Sequence, residues 1–146
     1  MIPNVAMHKT WTPPHNPWYK VNVDGAVFQH FDAVGIGVVT QDHTGQCMVA
    51  MSKKLRVPLG LLQAEAKAME KGIDFAWDVG LCNVVFETDS EMLHRSLTGS
   101  ITPPATIQNI VTHASCNFKT SGPYSLHTFD EMETRQPIYC HNMPKV

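Results

Sequence analysis

Three acidic residues of this sequence have the chemistry and the surroundings of divalent-metal ligands. Asp24 stands in the segment KVNVDGAV, Glu65 in LLQAEAKAM and Asp89 in VVFETDS, so each has apolar neighbours. Carboxylates that converge in a partly buried place repel one another and need a cation. Hard oxygen ligands gathered at one point suit Mg²⁺ or Mn²⁺. The three acids therefore predict a metal site, provided that the fold brings them together.

Each acid also has an ordinary structural explanation. Asp24 precedes a glycine and is compatible with a turn, and Glu65 is compatible with the solvated face of a helix. Asp89 precedes Ser90 and is compatible with the N-cap of a following helix. Spacing alone leaves the two interpretations open.

The elements that must position these acids begin with three strands. Residues 19–27 alternate apolar and polar side chains, which is typical of a half-buried strand. Residues 35–40 and 46–52 predict two more strands, separated by the turn residues Asp42 to Gly45. The short connections favour an antiparallel meander.

Helical periodicity follows the meander. Residues 61–79 predict a long amphipathic helix, in which Gly72 is a slightly weakening position. Residues 83–87 predict a fourth strand, and residues 91–97 and 105–118 predict two further helices. A strand that follows a helical crossover lies parallel to an earlier strand, so the fold class is α/β with a mixed sheet. Parallel pairing of the first and fourth strands would place Asp24 opposite Asp89, with the helix bringing Glu65 between them.

The whole chain has 146 residues and a formal net charge of -2, which suits one domain without a general excess of basic charge. We expect residues 1–18 to form a Pro- and Trp-rich linker, residues 19–118 to form the domain, and residues 119–146 to be irregular. No apolar run resembles a signal peptide or a membrane span, and the four cysteines are widely spaced. These features predict an intracellular protein of the nucleus or cytoplasm that is not secreted, with free thiols, no membrane partner and a monomeric state.

Five motifs occur in order along the chain. They are W-T-P-P, K-V-N-V-D-G-A, G-I-G-V-V-T-Q-D-H-T-G-Q, Q-A-E-A-K-A-M-E-K-G and V-V-F-E-T-D-S. Over residues 11–118 the sequence resembles the type 1 ribonuclease H family, in particular the plant branch related to the reverse transcriptases of non-LTR retrotransposons. The resemblance implies a five-stranded mixed sheet with helices on both faces. It also implies that the RNA strand of an RNA–DNA hybrid is hydrolysed with two Mg²⁺ or Mn²⁺ ions, and that the catalytic metal ligands are Asp24, Glu65 and Asp89.

The partner that the resemblance implies is an RNA–DNA hybrid, recognised through its backbone and its 2′-hydroxyl groups rather than its sequence. The residues expected to contact nucleic acid are Asn22, Gly25, Ser90, Lys53, Lys54 and Arg56, with Lys20 as a further candidate. For the lysines and Arg56, a solvated surface position is the competing interpretation.

The C-terminal part departs from the family pattern. The family carries a fourth acid or a histidine on a C-terminal helix, after a segment that reads roughly H-x-R-R-x-x-N-x-x-A-(D/H)-x-L-A, and no such segment follows residue 118. We therefore expect the C-terminal strand and helix to be missing.

A change of reading frame explains this departure. Read two nucleotides later, codons exist for residues 127–145 that encode H-I-R-R-D-G-N-K-T-A-(H or D)-I-L-S-Q-Y-A-K. The junction of Met132 with Glu133 forces the glycine, and the junction of Tyr139 with Cys140 forces the leucine. We hypothesise a frameshift between about Lys119 and His127.

Three functional hypotheses remain. The chain is a hybrid-specific endoribonuclease impaired by the loss of the C-terminal motif, a nucleic-acid-binding module without efficient catalysis, or a retrotransposon-derived remnant. A small-molecule enzyme has little support, because the sequence has no Gly-rich phosphate loop and no nucleophile paired with a base.

Overall fold

The computed structural model describes residues 13–115 and the backbone of residues 124–128. These residues form a five-stranded sheet of order β3-β2-β1-β4-β5, with helices packed against it. In chain order the elements are β1 (Tyr19–Phe28), a short 3-10 helix (Gln29–Phe31), β2 (Ala33–Gln41), β3 (Cys47–Leu55), α1 (Leu61–Asp78), β4 (Val84–Thr88), α2 (Glu91–Leu97), α3 (Gln108–Ser115) and β5 (Tyr124–Thr128). The predicted α/β fold with a mixed sheet is confirmed.

The first three strands form the predicted antiparallel meander. Asp24 of β1 lies opposite Gly37 of β2, and Gly37 lies opposite Ser52 of β3. The turn between β2 and β3 is stabilised by Asp42, whose carboxylate accepts hydrogen bonds from the backbone N–H groups of Thr44 and Gln46 at 2.9 and 3.0 Å. Side chains on neighbouring strands that lie directly opposite share one face of the sheet.

Strand β4 returns through α1 and lies parallel to β1, as predicted. The pairing runs from Tyr19 opposite Val84 to Asn22 opposite Glu87. Continued by two residues, this register brings Asp24 and Asp89 to the same level, at the carboxyl end of both strands. Ligand sites of α/β sheets gather at that end.

Helix α1 packs across the central strands through its small residues. Ala64, Ala68 and Ala76 are fully buried, and Gly72 is buried among them. A Cβ atom on Gly72 would lie 2.6 Å from Cγ1 of Val23, which is far inside van der Waals contact. The absence of a side chain at Gly72, in the middle of the helix, therefore allows α1 to approach β1 closely.

Strand β5 corrects one prediction. From the sequence we expect residues 119–146 to be irregular and the C-terminal strand to be missing, but residues 124–128 form a strand parallel to β4, from Val84 opposite Tyr124 to Thr88 opposite Thr128. The sequence of this strand has only two apolar side chains, Tyr124 and Leu126, whereas the equally short β4 has three in a row, so the sequence alone favours a strand only at β4. Strand β5 forms because β4 otherwise presents an edge of unpaired backbone N–H and C=O groups. The predicted absence of the C-terminal helix concerns residues that lie outside the described part of the chain, as does the rest of the tail.

A buried ion pair ties β1 to β4. Lys20 and Glu87 are 0% and 3% exposed, and Nζ lies 3.3 Å from Oε2. Burial lowers the pKa of Lys20, while the attraction of Glu87 opposes that change. Both sequence-based interpretations of Lys20, as solvated surface and as a nucleic-acid contact, are wrong, because its side chain is buried and its Nζ pairs with Glu87.

Within the described residues, no helix is long and apolar enough to cross a membrane. Cys47 and Cys82 form no disulfide, whereas Cys116 and Cys140 lie outside the described residues.

The approach of α1 to β1 predicts the effect of Gly72→Val. The added side chain overlaps Val23, so we expect the free energy of unfolding to fall by roughly 1–3 kcal/mol, as in other overpacked cores. Urea denaturation followed by circular dichroism measures the change. Gly37→Ala is the control, since a Cβ atom there meets nothing within 4 Å. Equal stability of Gly72→Val and the unmodified chain would show that α1 is not held closely against the sheet.

Candidate metal centre and nucleic-acid interface

Asp24 lies within β1 and not in a turn. The strand continues four residues beyond it, to Phe28, and its backbone pairs with Gly37 of β2. Its side chain is exposed although its neighbours Val23 and Gly25 are buried. The turn interpretation is thereby excluded, and a carboxylate held on a rigid central strand is free to bind a ligand.

Asp89 follows β4 and does not cap the next helix. Ser90 is the N-cap of α2, because its Oγ accepts a hydrogen bond from the backbone N–H of Leu93 at 3.2 Å. The N–H of Ser90 in turn donates to Oγ1 of Thr88 at 3.2 Å. Because Ser90 caps α2, the exposed carboxylate of Asp89 is not needed as the N-cap of this helix.

Gly25 explains how Glu65 reaches the other two acids. A Cβ atom on Gly25 would lie 2.6 Å from the backbone C and O of Ala64 and 2.8 Å from the backbone N of Glu65. The first turns of α1 therefore rest directly on the backbone of β1, one residue from Asp24. Any larger residue at position 25 would push Glu65 away from Asp24.

The pKa of Glu65 reports the proximity of the three acids. Burial of its half-buried side chain raises this pKa most, and the negative charges of Asp89 and Asp24 raise it further. A hydrogen bond from the Ser90 hydroxyl opposes the rise, because it stabilises the ionised carboxylate. The structure thus brings Asp24, Glu65, Asp89 and Ser90 into one electrostatic cluster.

The donor chemistry of this cluster fits a hard divalent cation. All three acids supply carboxylate oxygens, and a bound cation would reduce the electrostatic repulsion between them. Within residues 13–115, however, no three acidic, histidine or cysteine side chains stand as a finished set of metal ligands. Binding would need rotations of the side chains, which the exposed Asp24 and Asp89 are free to make.

The basic residues predicted to contact nucleic acid divide between the two faces of the sheet. Lys53 lies opposite Ile36 and Lys54 opposite Gly35, so the alternation of β3 sends their side chains to opposite sides. Lys53 and Arg56 line an open groove of about 480 Å³ beside α1, together with Lys67 and Lys71. Lys54 shares the other face with Asn22 and Asp24.

Lys54 stands beside two aromatic rings that the sequence analysis missed. Its Nζ lies 6.0 Å from the ring centre of Phe28 and 5.3 Å from that of Phe31. The two rings are 44% and 71% exposed. The signal in the sequence was two phenylalanines flanking the polar Gln29 and His30 at the end of a strand, where apolar residues have no periodic reason to stand.

The remaining predicted contacts have local partners. The half-buried Asn22 donates from Nδ2 to Oε1 of Gln41 at 3.4 Å. Gly25 is buried beneath α1, which gives it a packing role. Contacts of nucleic acid with Asn22, Gly25, Ser90, Lys53, Lys54 and Arg56 stay predictions.

The raised pKa of Glu65 predicts how stability depends on pH. The folded state holds the Glu65 proton more tightly than the unfolded chain, whose pKa is near the ordinary value of 4.5. The contribution of Glu65 to the free energy of unfolding is therefore fully present at low pH, and it is lost as pH rises through the pKa of the folded state. Glu65→Gln removes the charge, so without metal we expect this variant to be more stable than the unmodified chain at pH 7, with the difference vanishing towards pH 4.5.

Thermal unfolding of both proteins in EDTA between pH 4.5 and 7 measures this difference. Glu91→Gln is the control, because Glu91 is an exposed acid of α2 that does not contribute to the pKa of Glu65. A Glu65→Gln variant that is less stable at pH 7 would contradict the crowding of the three acids.

Comparisons with known proteins agree with this architecture. A family profile described as reverse transcriptase-like matches residues 22–129. Ribonuclease H1 of the halophilic archaeon Halobacterium salinarum is similar in structure, with a TM-score of 0.66 and 18% identity over 76% of this chain and 84% of that chain. The N-terminal ribonuclease H domain of rv2228c from Mycobacterium tuberculosis gives a TM-score of 0.63 and 14% identity, over 76% of this chain and 81% of that chain.

A third similar structure contains nucleic acid. LC11-RNase H1, which was isolated from compost by a metagenomic approach, was solved in complex with an RNA/DNA hybrid. Its TM-score is 0.57, with 19% identity over 75% of this chain and 83% of that chain. No curated protein sequence matches this chain significantly. The profile spans more than half of the residues, and the chain therefore belongs to the reverse transcriptase-like family and has a ribonuclease H-like fold.

Proposed function

We propose that this chain is a ribonuclease H-type domain that binds RNA–DNA hybrids and hydrolyses their RNA strand with the help of Mg²⁺ or Mn²⁺. The observation that carries the proposal is the convergence of Asp24, Glu65 and Asp89 from three separate elements onto one edge of the sheet. Burial raises the pKa of Glu65 most, and the negative charges of Asp89 and Asp24 raise it further, which supports their proximity to Glu65. A folded protein has a reason to keep such a cluster when it binds a cation.

The residues that would hold the metal are Asp24, Glu65 and Asp89, with two ions expected. When bound, divalent ions supply a nucleophilic water and neutralise the charge that develops on the phosphate. The chain's own part is to fix the ligands. β1 and β4 hold Asp24 and Asp89 at one level, and Gly25 admits α1 so that Glu65 lies beside them.

Ser90 lies beside Glu65 at the start of α2. Its hydroxyl lowers the pKa of Glu65, and its Oγ accepts a hydrogen bond from the backbone N–H of Leu93. Asn22 and Lys54 lie on the same face of the sheet as Asp24 and would contact the hybrid backbone there. Recognition through phosphates and 2′-hydroxyl groups needs donors rather than sequence-reading side chains, which suits both residues.

The level of activity that we expect depends on the fourth metal ligand of the family, an acid or a histidine on the C-terminal helix. The sequence after residue 118 contains no segment that matches the family's C-terminal motif, so this chain offers three of the four groups. We expect metal-dependent binding of hybrids with little cleavage. A frameshift between about Lys119 and His127 would account for this deficit, because codons exist for residues 127–145 that encode the missing motif in the frame two nucleotides later.

Metal binding provides the direct test. We expect Mn²⁺, followed by electron paramagnetic resonance, to bind the chain, and Asp24→Asn to weaken this binding roughly tenfold or more, since it removes a ligand. Asp78→Asn is the control, because Asp78 is an exposed acid at the opposite end of α1. Equal Mn²⁺ affinity of the Asp24→Asn variant and the unmodified chain would overturn the metal assignment.

Hybrid binding and cleavage are measured with labelled substrates. We expect an RNA–DNA hybrid to bind more tightly than a DNA duplex of the same sequence in Mg²⁺, and this preference to depend on Asp24. Cleavage by the 146-residue chain is expected to be weak. Robust cleavage that Asp24→Asn abolishes would confirm the enzyme and contradict the importance of the missing motif.

The coding DNA tests the change of frame. The frame two nucleotides later, downstream of residue 126, is expected to encode H-x-R-R-x-G-N. A chain continued in that frame is expected to cleave hybrids at least tenfold faster than the chain as written, since it regains a ligand. A shifted frame without that motif would refute the hypothesis.

A further inference from the structure

The turn after β1 carries an exposed aromatic pair with a cation beside it. Phe28 ends the strand and Phe31 ends the short 3-10 helix that follows. The Nζ of Lys54 is 6.0 and 5.3 Å from the two ring centres. We name Phe28, Phe31 and Lys54 the aromatic platform.

Backbone contacts around the turn hold both rings of the aromatic platform in place. Gly35 makes room for Phe28, because a Cβ atom there would lie 3.0 Å from Cε2 of the ring. Asp32 closes the turn in the left-handed conformation, with φ 45° and ψ 46°, and its N–H donates to the carbonyl of Gln29 at 3.4 Å. This closure holds Phe31 next to Phe28 in spite of its 71% exposure.

The aromatic platform also lies in line with the acidic cluster. Asp24 and Phe28 are four residues apart on one strand, so their side chains share one face and their backbones are about 13 Å apart. Successive phosphates of a duplex strand advance about 3.4 Å along its axis. A nucleic-acid strand whose phosphate lies at Asp24 thus reaches the platform within about four nucleotides.

The chemistry of the platform fits a nucleobase with its phosphate. Exposed aromatic rings stack on the flat face of a base, and the lysine attracts the phosphate that accompanies it. A base inside a duplex presents only its edges, whereas an unpaired base presents its face. Resting on the proposed function, we infer that the aromatic platform binds an unpaired nucleobase that flanks the RNA–DNA hybrid held at Asp24, Glu65 and Asp89.

The test compares two hybrids with the full chain in Ca²⁺, which limits cleavage. One hybrid is blunt, and the other carries four unpaired nucleotides at each end. We expect the unmodified chain to bind the second more tightly, by between about fivefold and about a hundredfold, as base–aromatic stacking elsewhere implies. Phe31→Leu keeps an apolar side chain without a π face and is expected to abolish this preference, while Phe31→Trp retains it.

A matched control uses another exposed aromatic residue. Trp77 is 57% exposed and lies twelve residues after Glu65 on α1, about 18 Å along the helix. Trp77→Ala is expected to leave the preference for unpaired ends unchanged. Lys54→Gln is expected to weaken the binding of the overhanging hybrid and to reduce its dependence on salt.

Fluorescence gives a second measurement that needs no variant. 2-Aminopurine placed in the unpaired segment is quenched when it stacks, so binding of the unmodified chain is expected to lower its emission. Equal binding of both hybrids, an unchanged preference in Phe31→Leu or an absence of quenching would each overturn the inference while the blunt hybrid still binds. A chain that binds no hybrid at all would overturn the proposed function and this inference with it.

Discussion

The close contact between α1 and β1 is the constraint on which the rest of the structure depends. Two glycines, Gly25 in the strand and Gly72 in the helix, remove the Cβ atoms that would otherwise lie 2.6 Å from the opposite element. Gly72 sets the distance at the middle of the helix, where the core is apolar. Gly25 sets it at the carboxyl end of the strand, where the acids gather. One packing arrangement therefore provides both the hydrophobic core and the position of Glu65.

The acidic cluster lowers the stability of the folded state. Burial and two neighbouring negative charges raise the pKa of Glu65, so ionised Glu65 destabilises the folded state when no cation is present. The apolar contacts beneath α1 and the buried pair of Lys20 and Glu87 hold the strands in register against this repulsion. Such a balance is typical of functional sites, where groups that destabilise one another are kept because a ligand relieves them.

The two faces of the sheet have separate chemistry. The face beneath α1 is packed, and its edge at β3 carries a basic groove with Lys53 and Arg56. The other face carries Asn22, Asp24 and the aromatic platform. Neighbouring lysines in the sequence therefore serve different surfaces, and only the face that Lys54 shares with Asp24 is continuous with the candidate metal centre.

The sequence by itself determined the order of the elements, the mixed sheet and the three acids. Hydrophobic periodicity, turn-forming residues and short motifs depend only on residues that are close in sequence, so they can be recognised without the structure. The order of the elements already predicted that the three acids could meet, but the tertiary structure decided how closely, because the contact of α1 with Gly25 places Glu65 next to Asp24. It also formed β5, which pairing with β4 stabilises, and it buried Lys20, which looked like surface. Phe28 and Phe31 became a platform only when β2 and β3 brought Gly35 and Lys54 beside them. Contacts between distant residues decide such features, so local propensity and periodicity alone do not predict them.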